Sequence, residues 1–281
     1  MRLPVEMLVI LCLAVGIAPQ WVIGPVLALA VRPVVDGIMP AYSLAVWHGF
    51  NRPLVMSLLA MSGGVDSSVV AALLHKAERD RASARQALSD AAETLMDAPT
   101  IPPLVAAREA VRAIGPEIAI VDEAIATSSH VRRFLNSDSP NQYSFLRGGG
   151  LGWGMPAAVG CSLGLGRQPV VCLVGDGAAL YSPQALWTAA HENLPITFIV
   201  MNNQEYNILK NFMRSQENYT SAQTGKFIAM DITNPVIDYQ ALALSMGVTA
   251  CKVTQASDIA PTVEHCIQSG KTCLVEIVIS A

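Results

Sequence analysis

Two polar segments follow apolar runs in the second half of the chain, and their side chains are of the kind that holds a hard cation. Asp176 lies between Gly175 and Gly177 after the run PVVCLV, and Asn203 follows Asn202 after the run ITFIVM. A carboxylate, an amide oxygen and a nearby backbone carbonyl form an oxygen-only set of low charge, which suits Mg²⁺ with phosphates and water as its other ligands. The sequence therefore predicts a Mg²⁺ site that also receives phosphate.

The spacing of the two segments predicts that they meet. The stretch between them, 178–201, is long enough for one helix and a returning strand. In an open parallel sheet, ligands bind beyond the carboxyl ends of the strands, and a right-handed crossover brings Asp176 and Asn203 to the same edge. Gly175 and Gly177 permit positive φ and the close approach of a diphosphate. The amides of Gly177 and Ala178 would then point at its oxygens.

The elements needed to position these side chains recur regularly from residue 101 to residue 281. Short apolar, β-branched runs predict strands at 117–124, 169–175, 195–201, 248–253 and 272–280. Helical periods predict helices at 104–114, 129–135, 151–165, 183–192, 206–213, 239–246 and 257–268. This alternation is typical of parallel strands buried on both faces, so the sequence predicts an α/β domain with a doubly wound parallel sheet.

The motif GDG followed by NN resembles the cofactor signature of thiamine-diphosphate-dependent enzymes. The segment YSPQALWTAAHENLPITFIVMNNQEYNILKNF is similar to benzoylformate decarboxylase and to acetolactate synthase. The likeness runs from about Pro102 to the C-terminus, which corresponds to the cofactor-diphosphate-binding domain of those enzymes. It implies thiamine diphosphate and Mg²⁺ as cofactors.

The resemblance also implies roles for individual residues. Mg²⁺ would be held by Asp176, Asn203 and the backbone carbonyl of Glu205. Within RGGGLGWGMPAAVG, Gly149 would offer its carbonyl to the aminopyrimidine ring, and Leu151 would be the apolar wedge that bends the cofactor. The cavity near the reacting carbon would be lined by Tyr206 and Leu209.

One segment departs from the family pattern. The family often places hydroxyl residues after the strand that contains Asp-Glu, where they hold the diphosphate. Ile125 and Ala126 stand at those positions here, and Thr127, Ser128 and Ser129 follow one step later. Either diphosphate binding is weakened or the hydroxyls come from the shifted register.

The same resemblance implies half of a 2-oxo acid decarboxylase or carboligase. No catalytic residue is expected in this chain, because the family's activating glutamate belongs to a separate pyrimidine-binding domain across a dimer interface. Residues 1–100 do not resemble that domain. We therefore expect a truncated or fused enzyme half that acts on a small 2-oxo acid, as a homo-oligomer or with a partner chain that supplies the missing domain.

Residues 1–61 have a different character. The stretch 7–31 carries no charged side chain and is long enough to cross a membrane as a helix. A pair of buried core helices is the alternative reading. The segment PAYSLAVWHGFNRPLVMSLLA resembles a fragment of a subunit from cation/proton antiporters. A membrane-anchored protein with a non-catalytic α/β domain is therefore one alternative for the whole chain.

Residues 62–100 are predicted to be a glycine-rich turn, a charged helix and a linker. The turn resembles the SGGxDS loop of the ATP-pyrophosphatase family, through Ser62, Gly63, Gly64, Asp66 and Ser67. Backbone amides at such a turn favour a pyrophosphate, so an ATP-pyrophosphatase-like enzyme is the second alternative. The remainder of that domain is missing, and a plain helix start explains the same residues. The abrupt changes near residues 62 and 80–100 fit a fusion or a mosaic chain equally well.

Composition narrows the function classes. A net charge of −4, a pI near 5.7 and the lack of basic runs argue against nucleic-acid binding. Charged residues make up only 14%, and the mean hydropathy is +0.41, which requires a membrane segment or a deeply buried sheet. The six cysteines form no CxxC pair and indicate a reducing compartment. We expect a cytoplasmic protein, with membrane association through residues 7–61 left open.

Overall fold

The computed structural model describes residues 67–135, 142–146 and 148–281. The chain divides into two units, 1–82 and 83–281. Helix α1 spans Ser67–Glu93. The apolar segment at 7–61 and the glycine turn before Ser67 lie outside the described residues, so both alternatives that depend on them stay predictions. Within the described part of the chain, no helix combines the length and the apolar character that a membrane crossing requires.

The second unit contains the predicted alternation of strands and helices. Its strands are β1 (Ala119–Glu123), β2 (Tyr143–Phe145), β3 (Val170–Gly175), β4 (Ile196–Asn202), β5 (Thr249–Val253) and β6 (Cys273–Val278). Its longer helices are α2 (Pro103–Ile114), α3 (Ser128–Phe134), α4 (Gly154–Gly164), α6 (Ala185–His191), α7 (Asn207–Arg214), α9 (Tyr239–Ser245) and α10 (Ile259–Gln268). Two short helices are α5 (Asp176–Ala179) and α8 (Thr220–Thr224), and one 3₁₀ turn spans Ala256–Asp258.

The strands form one parallel six-stranded sheet in the order β2-β1-β3-β4-β6-β5. The predicted doubly wound α/β fold is therefore confirmed. Edge strand β2 was not predicted, because three residues are too few to show a period. Short helices α5 and α8 were also missed for the same reason.

Two apolar layers enclose the sheet. Along β3, Val171 and Leu173 face one layer, while Val170, Cys172 and Val174 face the other. Helices α2, α3 and α10 cover the first face, and α4, α6 and α9 cover the second. Because successive strand residues point to opposite faces, burial on both sides requires the continuous apolar runs seen in the sequence.

The last part of α1 belongs to the first apolar layer. Ala92 is completely buried there, and Leu88 and Met96 pack against the same cluster. Residues 83–100 were expected to be helix and linker, and they lie in the same compact unit as the sheet.

Candidate functional site

The register of the two central strands brings the predicted polar segments together. Gly175, the last residue of β3, is paired with Met201 of neighbouring strand β4. Asp176 begins α5 directly after β3, and Asn202 ends β4. The structure therefore places the GDG and NN segments at the same edge of the sheet.

Asp176 is buried, with 5% of its surface exposed. Its Oδ1 accepts a hydrogen bond from the amide of Gly177 at 2.8 Å, and its Oδ2 accepts one from the amide of Gln204 at 2.7 Å. Burial raises the pKa of the Asp176 carboxyl to about 6, against the opposing effect of these backbone donors. The carboxylate is thus held by amides in a site that disfavours its negative charge.

The segment directly after β4 makes a tight turn at residues 203–205. The Oδ1 of Asn203 accepts a hydrogen bond from the amide of Glu205 at 3.2 Å, and Gln204 adopts a left-handed φ of 59°. The Glu205 carboxylate pairs through Oε2 with the buried ammonium group of Lys210, which also contacts Asp231 at 2.5 Å. The other oxygen, Oε1, is buried and has no hydrogen-bond partner in the part of the chain that the structure describes.

A cleft of about 600 Å³, open at its mouth, lies beside these residues. All three predicted metal ligands line it, namely Asp176, Asn203 and Glu205. Most of the predicted cofactor contacts line it too: Leu151, Gly175, Gly177, Ala178, Tyr206 and Leu209. Gly149 is not among the lining residues. One cleft therefore collects nearly the whole predicted set.

Neither glycine of the GDG segment has a positive φ in the structure. Gly175 has an extended backbone with φ −73°, and Gly177 lies inside helix α5. A Cβ on Gly177 would lie 2.5 Å from Cε1 of Tyr206. Gly177 is therefore required by the close approach of an aromatic ring, and its φ has no part in the requirement. Gly149 does have a positive φ, of 69°.

Two of the three hydroxyl groups in the shifted register are already engaged within the protein. Thr127 Oγ1 donates to the carbonyl of Ala124 at 3.2 Å, and Ser128 Oγ donates to Asp122 at 2.9 Å. Ser129 is exposed. A ligand in this cleft thus meets the apolar side chains of residues 124–126, because the two buried hydroxyls already donate their hydrogen bonds elsewhere.

A buried carboxylate behind the site was missed by sequence reasoning. Glu276 on β6 has 0% of its surface exposed and accepts a hydrogen bond from Asn202 Nδ2 at 2.7 Å. The Oδ1 of Asn202 accepts from the amide of Gln204 at 3.0 Å. Gln240 and Lys252 are the other partners of Glu276, at 2.5 Å and 3.2 Å. The signal was an acidic residue inside the apolar run LVEIVI.

Comparison with known families agrees with this geometry. Residues 125–277 match the thiamine pyrophosphate enzyme family, in its C-terminal TPP binding domain. The chain belongs to this family. The cofactor of the family is thiamine diphosphate, and the sequence prediction of family and cofactor is confirmed.

Curated members of the thiamine pyrophosphate enzyme family are similar in sequence. Benzoylformate decarboxylase of Pseudomonas aeruginosa is 31% identical over 170 residues, which cover 60% of this chain and 31% of that protein. The acetolactate synthase large subunit of Parasynechococcus marenigrum is 27% identical over 168 residues, covering 60% and 26%. The chain spans about a third or less of the length of these relatives.

A solved structure of the same family shares the fold. The thiamine diphosphate-dependent 4-hydroxybenzoylformate decarboxylase of Rhodococcus jostii superposes with a TM-score of 0.58 and 31% identity, over 65% of this chain and 33% of that chain.

A K⁺/H⁺ antiporter protein of Rhizobium meliloti is 54% identical over 65 residues, 23% of this chain and 6% of that protein. The N-terminal resemblance to an antiporter fragment is thus confirmed.

Proposed function

We propose that the chain binds the diphosphate of thiamine diphosphate through Mg²⁺, with Asp176, Asn203 and the backbone carbonyl of Glu205 as protein ligands. The observation that carries the proposal is that these three residues line one cleft at the carboxyl edge of the sheet, beside the amides of Gly177 and Ala178. That edge is where open α/β sheets bind their ligands.

The residues present fit a divalent cation. Among the described residues, the donors to the buried Asp176 carboxyl are neutral backbone amides, and burial raises its pKa. A bound cation would offset this cost by stabilising the charged form. No group of three or more His, Cys, Asp or Glu side chains in the described residues could hold a metal, so amide, carbonyl and phosphate oxygens must complete the shell. Mg²⁺ accepts such a set.

The apolar lining supports a place for the rest of the cofactor. Leu151 lines the cleft with 42% of its surface exposed, and Tyr206 and Leu209 line its other part. In the proposal Leu151 supports the bend of the cofactor, and Gly149 offers its carbonyl to the aminopyrimidine ring. Tyr206 and Leu209 shield the reacting end from water.

In this proposal the chain forms one half of a 2-oxo acid decarboxylase or carboligase of the benzoylformate decarboxylase type. When bound, thiamine diphosphate supplies the carbon nucleophile and the electron sink for loss of CO₂ from a 2-oxo acid. The contribution of this chain is to anchor the diphosphate, exclude water and orient the ring system. The glutamate that activates the cofactor is expected from a pyrimidine-binding domain on a partner chain. Turnover by this chain alone is therefore not expected.

Calorimetric titration with thiamine diphosphate and Mg²⁺ tests the proposal. The parent chain should bind with one site, and binding should disappear when EDTA removes the metal. Asp176→Asn and Asn203→Ala should each weaken binding at least tenfold, whereas Ser129→Ala at the exposed hydroxyl should bind as the parent does. Equal affinity of the parent and the Asp176→Asn variant would overturn the metal assignment.

A further inference from the structure

We propose that Glu123 is a positioning residue that fixes the glycine turn 152–154 and thereby holds Leu151 in the cofactor cleft. The inference rests on the proposed binding of thiamine diphosphate. It concerns a carboxylate that lies behind the cleft and takes no part in the proposed metal site, since Glu123 is not among the lining residues.

The Glu123 carboxylate binds three consecutive backbone amides. Oε1 accepts from Gly152 at 2.7 Å and from Trp153 at 3.3 Å, and Oε2 accepts from Gly154 at 2.6 Å. Glu123 is the last residue of β1 and has 1% of its surface exposed. Hydrogen bonds to a buried charged acceptor are stronger than neutral ones. The sheet thus holds the start of helix α4 through one side chain.

The hydrogen bonds of the Glu123 carboxylate require glycine at position 154. A Cβ on Gly154 would lie 2.7 Å from the Cβ of Glu123 and 2.8 Å from its Oε2. Any larger residue at position 154 would push the carboxylate away from the amides. The glycine and the glutamate, 31 residues apart, therefore form one packed unit.

The opposite side of the turn is fixed as well. Ser182 Oγ donates to the carbonyl of Gly152 at 2.8 Å. Gly152 has a φ of 89°, and a Cβ there would lie 2.7 Å from the Cβ of Tyr181. The turn is held at its amides by Glu123 and at its carbonyl by Ser182, so the backbone directly after Leu151 has little freedom.

In this arrangement Leu151 directly precedes a turn whose backbone is fixed on both sides. Its side chain is 42% exposed and lines the cleft, whereas the residues that follow it are tied to β1. A wedge that bends a flexible ligand must resist displacement, and a partly exposed leucine can do so only if its backbone is fixed. Removing the carboxylate should therefore loosen the wedge without touching Asp176 or Asn203.

Hydrogen exchange tests the clamp without any cofactor. In the parent chain the amides of Gly152 and Gly154 should exchange slowly, and in Glu123→Gln they should exchange at least tenfold faster. The amide of Gly177, which donates to Asp176, should be unchanged. Glu109→Gln is the matched control, because it removes another buried carboxylate, bound by Arg108 at 2.8 Å, that does not line the cleft. Unchanged exchange at Gly152 and Gly154 in Glu123→Gln would overturn the proposal.

Binding of two probes separates the wedge from the metal site. Glu123→Gln should weaken thiamine diphosphate at least tenfold in the presence of Mg²⁺, while Mg²⁺-pyrophosphate should bind as tightly as to the parent. Equal weakening of both probes, or of neither, would contradict a role in positioning the wedge. If Mg²⁺-pyrophosphate and thiamine diphosphate both fail to bind the parent, the proposed function fails, and the exchange data still decide whether the clamp exists.

Two further variants keep the test informative if Glu123→Gln does not fold. Ser182→Ala removes only the hydrogen bond to the carbonyl of Gly152. It should speed amide exchange at Gly152 and weaken thiamine diphosphate binding by a smaller factor than Glu123→Gln does. Glu123→Asp keeps the charge with a shorter side chain, and it should retain more thiamine diphosphate affinity than Glu123→Gln. A Glu123→Asp variant as impaired as Glu123→Gln, together with a Ser182→Ala variant like the parent, would count against the inference.

Discussion

The Oδ2 of Asp176 and the backbone nitrogen of Gln204 lie 2.7 Å apart, so one hydrogen bond joins the end of β3 to the segment after β4. The same amide lies 3.0 Å from Oδ1 of Asn202. Gln204 thus links both polar segments through its backbone, whatever its side chain. Hydrogen bonds within the protein hold the ends of the two strands together, which lowers the ordering cost of binding.

The protonation of Asp176 should depend on Mg²⁺. Burial raises the pKa of this carboxyl to about 6, and a bound cation would favour the charged form. We expect its ¹³C carboxyl resonance to titrate with a midpoint near 6 without metal and at clearly lower pH with Mg²⁺ and thiamine diphosphate. A midpoint that does not move on addition of both would argue against direct coordination.

The same shift predicts how folding stability depends on pH. The folded-state pKa of Asp176 lies above the ordinary value of 3.8, so ionisation of this group opposes folding. Its effect is absent below about pH 4 and grows to about 3 kcal/mol of destabilisation as the pH rises past about 6. Urea unfolding of the metal-free protein should therefore show a stability loss in that range that Asp176→Ala largely lacks.

Gly177→Ala should damage the site by steric overlap. The added Cβ would lie 2.5 Å from Cε1 and 2.9 Å from Cδ1 of Tyr206, so the ring must move. We expect a loss of about 2 kcal/mol in the free energy of unfolding and weaker cofactor binding. Gly160→Ala is the control: it lies in α4 with open space around it and should stabilise the helix by about 1 kcal/mol. Similar thermal melting of the two variants would contradict the packing argument.

Glu276→Ala should be strongly destabilising. Its buried carboxylate satisfies Asn202, Gln240 and Lys252, and removing it leaves two side-chain amides without their acceptor. We expect a loss of about 3 kcal/mol in urea unfolding. Glu192→Ala, which breaks an exposed pair with Arg167 at 2.9 Å, should cost less than about 1 kcal/mol. Equal costs for the two variants would show that burial does not decide the effect.

Lys210→Met should destabilise the protein, because it leaves a buried carboxylate beside the cleft without its ion-pair partner. The buried ammonium group lies between Glu205 and Asp231, and its loss leaves the largely buried Glu205 carboxylate without a cation. We expect about 3 kcal/mol of destabilisation in denaturant unfolding. Adding Glu205→Gln to Lys210→Met should recover most of this loss, as a double-mutant cycle would measure. A double variant no more stable than the single one would reject the pairing as the cause.

The strand ends were readable from the sequence because their signals are local. Apolar runs closed by GDG and NN predict where β3 and β4 stop, and the handedness of crossovers predicts that both segments share an edge. The edge strand β2 was missed, because three residues carry no period. The sequence did not show why Gly177 excludes a side chain, because the ring of Tyr206 that fills this space comes from a distant segment.

The sequence by itself determined the fold class, the family and the edge of the sheet at which the polar segments lie. Only the tertiary structure decided which groups support that edge. Asn202 and Glu276 are 74 residues apart and meet because β4 lies beside β6, while Glu123 reaches Gly154 across the turn at the start of α4. Such contacts depend on strand order and on packing between distant segments, and neither leaves a periodic trace in the chain.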